Sequence, residues 1–472
     1  MQPSTQSKKA KLNTAPLRHK VECIVDEILK DIKPTKEDVK DSVLKLNLVM
    51  GRLKKAAPSY AELIVTGSTA KGTNLRGDSD VDIFMLLPKS VKKEDMEGIA
   101  AGVAKKFINT KDKESYLIEY AEHPYVRISL PRMALEVELV PAYKINNALE
   151  RGTAVDRTQL HNIFVNSTLS KKQKDGVRAL KAFMKFNHVY GAEASVEGFS
   201  GYLTELLIAK YGSFFNVLYA FSCPELPLVI DDLNLRKNSM PKSNIVGKFE
   251  ARNIIVLDPT DDNRNVAASV SNEAMAKFSL ACRRMLKNPD IKSFFGPKIF
   301  DINSSDKLAS LASASGLDVF VIVFYAKRIS KEIIWQQTRR ISNAMRQYLE
   351  KNGTYVKFMF QEAFEDGSVL VLLNEHDNMA PKVAKGPSVF IPDAFERFSA
   401  AHKGSIFKIL EGDVVYSVER REKYKTEDII RRFLKNFNVP KNLLRKPARI
   451  YKNNVPEEYA KLAWRAFILK NA

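Results

Sequence analysis

Two aspartates, Asp80 and Asp82, are the strongest candidates for chemistry in this sequence. They stand at the start of an apolar run, Val81 to Leu87, that is typical of a β-strand. Because side chains two apart in a strand share a face, the two carboxylates would repel each other unless a cation lay between them. Mg²⁺ prefers such oxygen ligands and takes others from substrate phosphates. The pair therefore predicts phosphoryl transfer with a divalent cation.

A phosphate-binding turn is predicted just before the pair. Gly67 and Ser68 follow a second apolar stretch, Ala61 to Val65. A tight turn there would present backbone N–H groups to an anion such as a triphosphate. Taken singly, a Gly-Ser pair is most often a plain turn and an Asp-x-Asp pair most often lies on a solvated surface. Their joint spacing between two apolar strands favours phosphoryl transfer.

A third carboxylate is expected on a neighbouring strand. The segment L-E-V-E-L-V, residues 135–140, offers Glu136 and Glu138. Both fall on one face by the period of a strand, so spacing alone does not choose between them. They could instead form the polar outer face of an edge strand.

Hydrophobic periodicity predicts a mixed α/β domain around these residues, followed by a mainly helical region and then a second α/β or α+β domain. The first domain has predicted helices over 18–32, from the N-cap Thr35 to 57 and over 92–107, and predicted strands over 61–65, 81–87, 125–130 and 135–140. The remainder has a helical pattern over 172–218 broken at 191–201, a strand over 254–257, a turn over 258–265, a helix over 272–286, a strand over 317–325, a helix from Ser330 to Gly353, and strands over 355–360 and 368–374.

Length and composition indicate a globular protein of about three domains. The chain has 472 residues, 45% of them hydrophobic and 28% charged. No apolar run approaches the roughly 20 residues that cross a bilayer. Residues 1–13 have no apolar signal segment, so we expect a cytoplasmic protein with no membrane partner. Cys23, Cys223 and Cys282 lack the spacing of a zinc site or disulfide framework and are expected to be buried.

The formal net charge of +20 favours a polyanionic partner. Each Lys or Arg that replaces a counterion on a phosphate backbone adds salt-dependent affinity. Solubility alone is the plain alternative, and membrane-surface binding is a weaker one because no long basic amphipathic helix stands apart from the globular pattern.

Several motifs in fixed order resemble a known family. The segment Gly67 to Asp82, G-S-T-A-K-G-T-N-L-R-G-D-S-D-V-D, is similar to the catalytic head of the DNA polymerase beta nucleotidyltransferase superfamily. Further segments resemble the archaeal, class I, CCA-adding enzymes, which are CCA tRNA nucleotidyltransferases. These segments are Tyr120 to Val126, Val140 to Lys144, Ala154 to Thr158, Val189 to Glu193, Gly198 to Leu207 and Arg264 to Ala267. The match is specific from about residue 60 to 290 and diffuse beyond.

The resemblance implies a multidomain α/β and α fold. It consists of a polymerase-beta-type nucleotidyltransferase head with a mixed sheet, a helical neck, and an α+β body and tail. Together with the patterns above, it predicts a flexible basic tail at 1–15, the catalytic head at 16–146, a mainly helical, nucleotide-binding neck at 147–290, and a tRNA-binding body and tail at 291–472.

The resemblance also implies roles for individual residues. Asp80, Asp82 and Glu138 become the catalytic and metal-holding carboxylates. The family usually has Glu, Asp and Asp at these positions, so Glu138 departs from its pattern. The candidate nucleotide-binding residues, from the predicted turn and the resemblance together, are Gly67, Ser68, Lys71, Arg76, His123, Arg157, His161, Lys181, Tyr190 and Arg264.

Each of these assignments has a plainer alternative. Lys181 could be a solvated side chain of an amphipathic helix, Tyr190 a core residue and His161 a helix-face residue. Arg264 could merely decorate an Asx-rich turn. The motif spacing favours the functional interpretation for Arg157, Lys181 and Arg264 more firmly than for the histidines.

Arg264 is implied to lie at the edge of the incoming base. The neighbouring Asp261 and Asp262 could hold its guanidinium in one orientation. A planar fork of donors can then hydrogen-bond the acceptors on the Watson–Crick edge of a base.

The implied activity is template-independent addition and repair of the 3′-terminal CCA of tRNA from CTP and ATP. It proceeds by in-line transfer with two Mg²⁺ ions and releases pyrophosphate. The implied partners are tRNA, CTP and ATP, and the family suggests a homodimer. One alternative is an ATP-only enzyme of the poly(A) polymerase or oligoadenylate synthetase type. Another is a non-catalytic RNA-binding protein with a degenerate head, against which the three carboxylates argue.

A basic tract, Arg421 to Ile450, is a candidate RNA-binding segment because rings are interleaved with its basic residues. An amphipathic helix over 426–437 is nearly as good an interpretation. The candidate RNA-binding residues are Arg421, Lys423, Lys425, Arg431, Arg432 and Lys435.

Overall fold

The computed structural model describes residues 14–78, 80–119, 124–231, 242–249, 253–295, 310, 314, 316–326, 329–354, 356–364, 366–375, 382–419, 425–443 and 448–464. The chain divides into two compact units, the first reaching Pro297 and the second starting at Lys298.

The first unit alternates helices with short strands. Its elements are α1 (Ala15–Ile32), α2 (Lys36–Ala56), β1 (Glu62–Val65), α3 (Gly67–Lys71), β2 (Asp80–Leu87), α4 (Met96–Phe107), β3 (Ser115–Glu119), β4 (Tyr125–Leu130), β5 (Leu135–Tyr143), α5 (Thr158–Thr168), α6 (Lys171–Phe186), α7 (Gly201–Tyr211), α8 (Phe214–Ser222), β6 (Leu228–Ile230), α9 (Lys242–Lys248), β7 (Ile254–Asp258), β8 (Asp261–Asn265), α10 (Asn272–Lys287) and α11 (Ile291–Phe294).

A five-stranded mixed sheet in the order β1-β2-β5-β4-β3 carries the predicted carboxylates. β2 and β5 run parallel, and the other neighbours are antiparallel. β2 is apolar on both faces because both are covered. Ile83 and Met85 pack with α2 and α4, whereas Phe84 and Leu86 form a separate cluster on the opposite face. Burial on both faces fixes the register, since a one-residue slip would exchange them.

The start of α2 follows its local sequence. Thr35 accepts a hydrogen bond from the Asp38 backbone N–H, and the Asp38 carboxylate accepts one from the Thr35 N–H. This capping box satisfies two backbone donors that a helix otherwise leaves unpaired.

A second core joins α1, α6, α7, α8 and α10 around buried aromatic rings. Phe183 makes edge contacts with Phe214, Phe278 and Phe294. The sheet β6-β7-β8 lies beside these helices, with Ile254 and Val256 of β7 in the same core.

The predicted turn over 258–265 is wrong for most of its length. Residues Asp261–Asn265 form β8, which pairs antiparallel with β7. The polar composition misled the prediction, since Asn265 is buried and its side chain accepts a hydrogen bond from the Val256 N–H. A buried polar side chain here substitutes for a missing ladder contact.

The second unit contains two antiparallel sheets, ordered β10-β11-β9-β15 and β12-β14-β13. Its elements are β9 (Leu317–Tyr325), α12 (Lys331–Lys351), β10 (Val356–Phe364), β11 (Gly367–Glu375), β12 (Lys382–Ser388), α13 (Pro392–Ala401), β13 (Phe407–Glu411), β14 (Val414–Glu419), α14 (Thr426–Asn436), β15 (Arg449–Lys452) and α15 (Glu457–Trp464).

Two further expectations concerned the burial of the cysteines and membrane-spanning segments. Cys282 is buried as expected, but Cys23 and Cys223 are exposed, so burial was wrong for both. Among the helices that the structure describes, none is long and apolar enough to cross a membrane.

Candidate active site

The predicted carboxylates meet where β2 and β5 run parallel. The register pairs Asp80 with Glu136 and Asp82 with Glu138. Ser129 Oγ donates a hydrogen bond of 2.7 Å to Glu136. The charges of Asp82 and Asp80 instead act on the Glu138 carboxyl. The register thus places one glutamate beside each aspartate, and it is the hydrogen bond from Ser129 to Glu136 that distinguishes Glu136 from Glu138.

Burial and like charge raise the pKa values of the Asp82 and Glu138 carboxyls. Burial raises the pKa of Glu138 to about 7, the charge of Asp82 adds to the shift, and the Arg127 guanidinium 3.7 Å away opposes it. Burial also raises the pKa of Asp82, with the charge of Asp80 as the second cause. A divalent cation beside them would oppose both shifts, because it stabilises the ionised carboxylates.

The donor set suits a hard cation such as Mg²⁺, since all three side chains offer oxygen. Among the residues that the structure describes, no three His, Cys, Asp or Glu side chains are already grouped as metal ligands. A cation at Asp82 would therefore take further ligands from water and substrate phosphates, as Mg²⁺ does in many nucleotide-binding enzymes.

Gly67 places the backbone directly against Asp82. The Thr66 N–H donates to the Asp82 carbonyl at 2.8 Å. Gly67 then begins α3 with a φ of +70°. A Cβ at this position would lie 1.7 Å from Asp82 Oδ2, so glycine is required both for the conformation and for the space. This contact holds the start of α3, including Ser68, beside the carboxylate.

Glu205, a buried acid on α7, lies against two lysines that were predicted to bind nucleotide. Its carboxylate accepts from Lys71 Nζ at 2.8 Å and from Thr73 Oγ1 at 2.7 Å. Lys181 Nζ lies 4.0 Å from the same carboxylate and donates to the Thr73 carbonyl at 3.2 Å. Lys181 is only 3% exposed, so its interpretation as a solvated side chain is wrong. Burial lowers the pKa of Lys181 to about 8, which Glu205 opposes and Lys71 reinforces.

Asp258, the last residue of β7, holds Arg264 and His161. Arg264 Nη1 and His161 Nε2 each lie 2.9 Å from its Oδ2. The Tyr202 ring stacks on the imidazole with centroids 3.8 Å apart. Burial lowers the pKa of His161, so this imidazole is neutral at pH 7.

The expectation that Asp261 holds Arg264 is therefore wrong. Asp261 instead accepts from Arg151 and Arg157, whose Nη1 atoms lie 3.0 and 2.8 Å from its Oδ2. The reason is the strand β8, in which residues 261 and 264 point to opposite faces. Arg264 consequently turns away from Asp261 and reaches Asp258.

Of the other nucleotide-binding candidates, Arg76 pairs outside these clusters, whereas Tyr190 lies near Glu205, whose charge adds to burial in raising the pKa of the phenol. Arg76 Nε pairs at 3.1 Å with Asp38 in the capping box of α2. Tyr190 packs against the second core, and the Lys185 ammonium lies 5.6 Å from its ring centre. His123 lies outside the described residues.

The basic tract of the second unit includes an amphipathic helix. α14 buries Ile429, Ile430 and Phe433, as the alternative interpretation predicts. Arg431 on its outer face pairs with Glu427 one turn earlier. The other described candidates are Lys425, Arg432 and Lys435, and Arg421 and Lys423 lie outside the described residues.

Glu205 and Asp258, the acids that pair with these cationic side chains, were not predicted from the sequence. A lone charged residue in the apolar run of α7 is a signal for a buried ion pair at Glu205. Asp258 falls at the start of the segment that its polar composition predicts as a turn. Their partners lie 134 residues away for Lys71 and 97 for His161, so local spacing carries no information about either pairing.

Three family profiles match successive parts of the chain. The profile described as nucleotidyltransferase domain matches residues 46–161, and that of the tRNA nucleotidyltransferase second domain matches 175–295. The profile of the CCA-adding enzyme C-terminal domain matches 315–446. The first unit therefore carries a nucleotidyltransferase fold with a mixed sheet and helices.

Curated relatives match across most of the chain. The CCA-adding enzyme of Saccharolobus shibatae is 36% identical over 412 residues, which are 87% of this chain and 91% of the relative. That of Methanocaldococcus jannaschii is 32% identical over 93% of this chain and 97% of the relative. A solved structure of a cytoplasmic RNA terminal U-transferase covers 59% of this chain and 98% of its own, with 16% identity and a TM-score of 0.46, and is too distant to support a conclusion. This chain belongs to the CCA-adding enzyme family.

Proposed function

We propose that this protein rebuilds the 3′-terminal CCA of tRNA from CTP and ATP, without a nucleic-acid template, and releases pyrophosphate. The observation that carries the proposal is the match of the chain to a CCA-adding enzyme over 91% of that enzyme's length. The presence of Asp80, Asp82 and Glu138 on two adjacent inner strands of the mixed sheet supports catalysis over a purely RNA-binding role.

Asp80, Asp82 and Glu138 would hold the divalent cations, which we take to be two Mg²⁺ ions. When bound, such ions lower the pKa of the attacking 3′-hydroxyl and neutralise charge on the triphosphate. Asp82 is suited to a fixed role because the Gly67 backbone confines its carboxylate. Asp80 is exposed and can adjust to the substrate.

Lys71 and Lys181 are the triphosphate-facing cations in this proposal. Their charges act on the Asp82 carboxylate, which places both ammonium groups near the proposed metal position. The turn at Gly67 and Ser68, at the start of α3, would supply backbone donors. A nucleotide phosphate near these groups would meet positive charge while its oxygens remain available to the cation.

The ribose and base of the incoming nucleotide would lie near Arg157, His161, Tyr190 and Arg264. Arg264 would contact the Watson–Crick edge, where a fixed fork of donors can distinguish acceptor patterns. This assignment is supported by the anchoring of Arg264 on Asp258 at 2.9 Å, because base discrimination requires a guanidinium in one orientation.

The domain roles follow the same proposal. Residues 16–146 would form the polymerase-beta-type catalytic head, 147–290 the helical neck that binds nucleotide, and 291–472 the body and tail that bind tRNA. The net charge of +20 supports an RNA partner held mainly through phosphates.

The test is incorporation of labelled CTP and ATP into tRNA that lacks its last three nucleotides. The wild-type protein should add both nucleotides in the order C, C, A. Asp82→Ala should abolish incorporation while the protein still folds and binds tRNA. Asp41→Ala, at a 60% exposed side chain of α2, is the matched control and should remain active. Incorporation of ATP alone, or none by the folded wild-type protein, contradicts the proposal.

A further inference from the structure

The carboxylate of Asp258 is the most heavily engaged buried side chain near the proposed base site. It is 0% exposed. Its Oδ2 accepts from Arg264 and His161, each at 2.9 Å. Its Oδ1 accepts from the Thr260 N–H at 2.9 Å, the Thr260 hydroxyl at 2.8 Å and the Tyr202 hydroxyl at 3.3 Å. Both oxygens are therefore fixed by partners from several elements.

We propose that Asp258 is a positioning residue for nucleotide selection, acting by holding the Arg264 guanidinium in the orientation that discriminates C and A from U and G. The inference rests on the proposed function and deepens it. Asp258 itself is buried beneath Arg264, so it acts through that side chain and does not touch the nucleotide.

The contacts of Arg264 indicate that Asp258 fixes the orientation of the guanidinium and does not merely form a structural ion pair. Arg264 keeps 32% of its side chain exposed while one nitrogen is held by a fully buried oxygen. A guanidinium held at one end retains accessible donors at the other, in a plane set by the anchor. Asp258 is confined in turn by β7, α5 and α7 through its own backbone, His161 and Tyr202.

The charge state of Asp258 agrees with this role. Burial alone would raise its pKa, but hydrogen bonds from His161, Thr260 and Arg264 outweigh burial and hold the pKa below its ordinary value. The ionised carboxylate can only accept, so His161 must donate from Nε2. The same acid thus fixes both the direction of the guanidinium and the tautomer of the neutral imidazole.

The decisive variant is Asp258→Asn, which keeps the side-chain volume but replaces an acceptor by an amide group. We measure kcat/KM for all four nucleoside triphosphates on truncated tRNA, together with a melting curve. The ratio of CTP and ATP use to UTP and GTP use should fall about tenfold or more. Asp290→Asn, at the N-cap of α11, is the matched control and should leave this ratio unchanged.

A double variant separates positioning from general destabilisation. If Asp258 acts through Arg264, adding Asp258→Asn to Arg264→Ala should cause no further loss of discrimination. A folded Asp258→Asn protein with wild-type discrimination, or an additive loss in the double variant, overturns the inference.

A milder variant, Thr260→Val, provides the test if Asp258→Asn does not fold. It removes one hydrogen bond to Oδ1 and should lower discrimination by roughly two- to threefold, a smaller loss because only one neutral bond goes. Unchanged discrimination in Thr260→Val then overturns the inference. If the wild-type protein does not complete CCA, the proposed function fails; if it does and only the selectivity results are negative, the role of Asp258 alone is refuted.

Discussion

Replacing Gly67 with alanine tests whether close contact between the backbone and Asp82 sets the catalytic geometry. Gly67 has a φ of +70°, and a Cβ there would lie 1.7 Å from Asp82 Oδ2 and 2.8 Å from its Cγ. Real Cβ atoms keep at least 3.0 Å, so the carboxylate oxygen would have to move by about 1.3 Å, the difference between the two distances. Asp82 lies on a strand buried on both faces, so its backbone has little freedom to follow.

We expect Gly67→Ala to reduce the catalytic rate much more than it reduces stability. A left-handed backbone costs an alanine about 1–2 kcal/mol, or a fall in Tm of about 2–8 °C for a unit of this size. Misplacing a catalytic group by 1 Å costs about 100-fold in rate. We therefore expect Gly67→Ala to remain folded at 25 °C while kcat for both CTP and ATP falls by about 100-fold.

The assay compares Gly67→Ala with Gly212→Ala by single-nucleotide incorporation and thermal melting. Gly212 has a φ of +81° at the end of α7, and a Cβ there would have no other atom within 4 Å, so this variant carries the backbone strain without the collision. Similar losses of Tm with loss of activity only at Gly67 support the reasoning. Near-wild-type kcat in Gly67→Ala refutes it, as does an equal loss of activity in Gly212→Ala.

Three further predictions concern charge and capping. Because burial lowers the pKa of Lys181 to about 8, kcat/KM for ATP should fall as pH rises above 8 and the ammonium loses its proton; Lys181→Met should flatten this alkaline limb. Fluorescence titrations of tRNA should show affinity falling by roughly 0.7–0.9 log units per log unit of salt for each phosphate neutralised, and a salt-independent affinity would contradict a backbone contact. Thr35→Ala should lower the free energy of unfolding by about 0.5–2 kcal/mol in urea melts, because the capping box of α2 is lost.

Elements with strong local signals were predictable from the sequence. The pair Thr35 and Asp38 predicted the start of α2, and Gly353, with a φ of +78°, ends α12 as a glycine should. Strand β3 was missed because it is a short edge strand whose residues are all exposed or half-buried, with only three apolar residues in a row. The polar strand β8 was missed because its residues are typical of turns and only its pairing with β7 makes it extended.

The candidate site likewise contains residues that have a local sequence signal and residues that have none. Asp80 and Asp82 were found by their spacing, which is local. The preference for Glu138 over Glu136 needed either a family resemblance or the contacts of the two side chains, since the register places one glutamate beside each aspartate. The pairing of Glu205 with Lys71 and that of Asp258 with His161 depend on contacts between distant elements, whereas Asp258 and Arg264 are only six residues apart.

In the proposed function, acids paired with the predicted nucleotide-facing cations would let a strongly basic protein select a nucleotide and not merely attract an anion. All five lysines and arginines predicted to face nucleotide are already within ion-pair distance of an acid. The pairs are Lys71 and Lys181 with Glu205, Arg76 with Asp38, Arg157 with Asp261, and Arg264 with Asp258. Each pair weakens the nonspecific pull of its cation on phosphate, since part of the charge is compensated. Each also holds a long side chain that would otherwise lose about 0.5–1.5 kcal/mol of conformational freedom on binding. If these side chains face the nucleotide as proposed, their orientation is set before it arrives, discrimination would depend on the shape of the base edge, and bulk attraction for tRNA would be left to the rest of the net charge of +20.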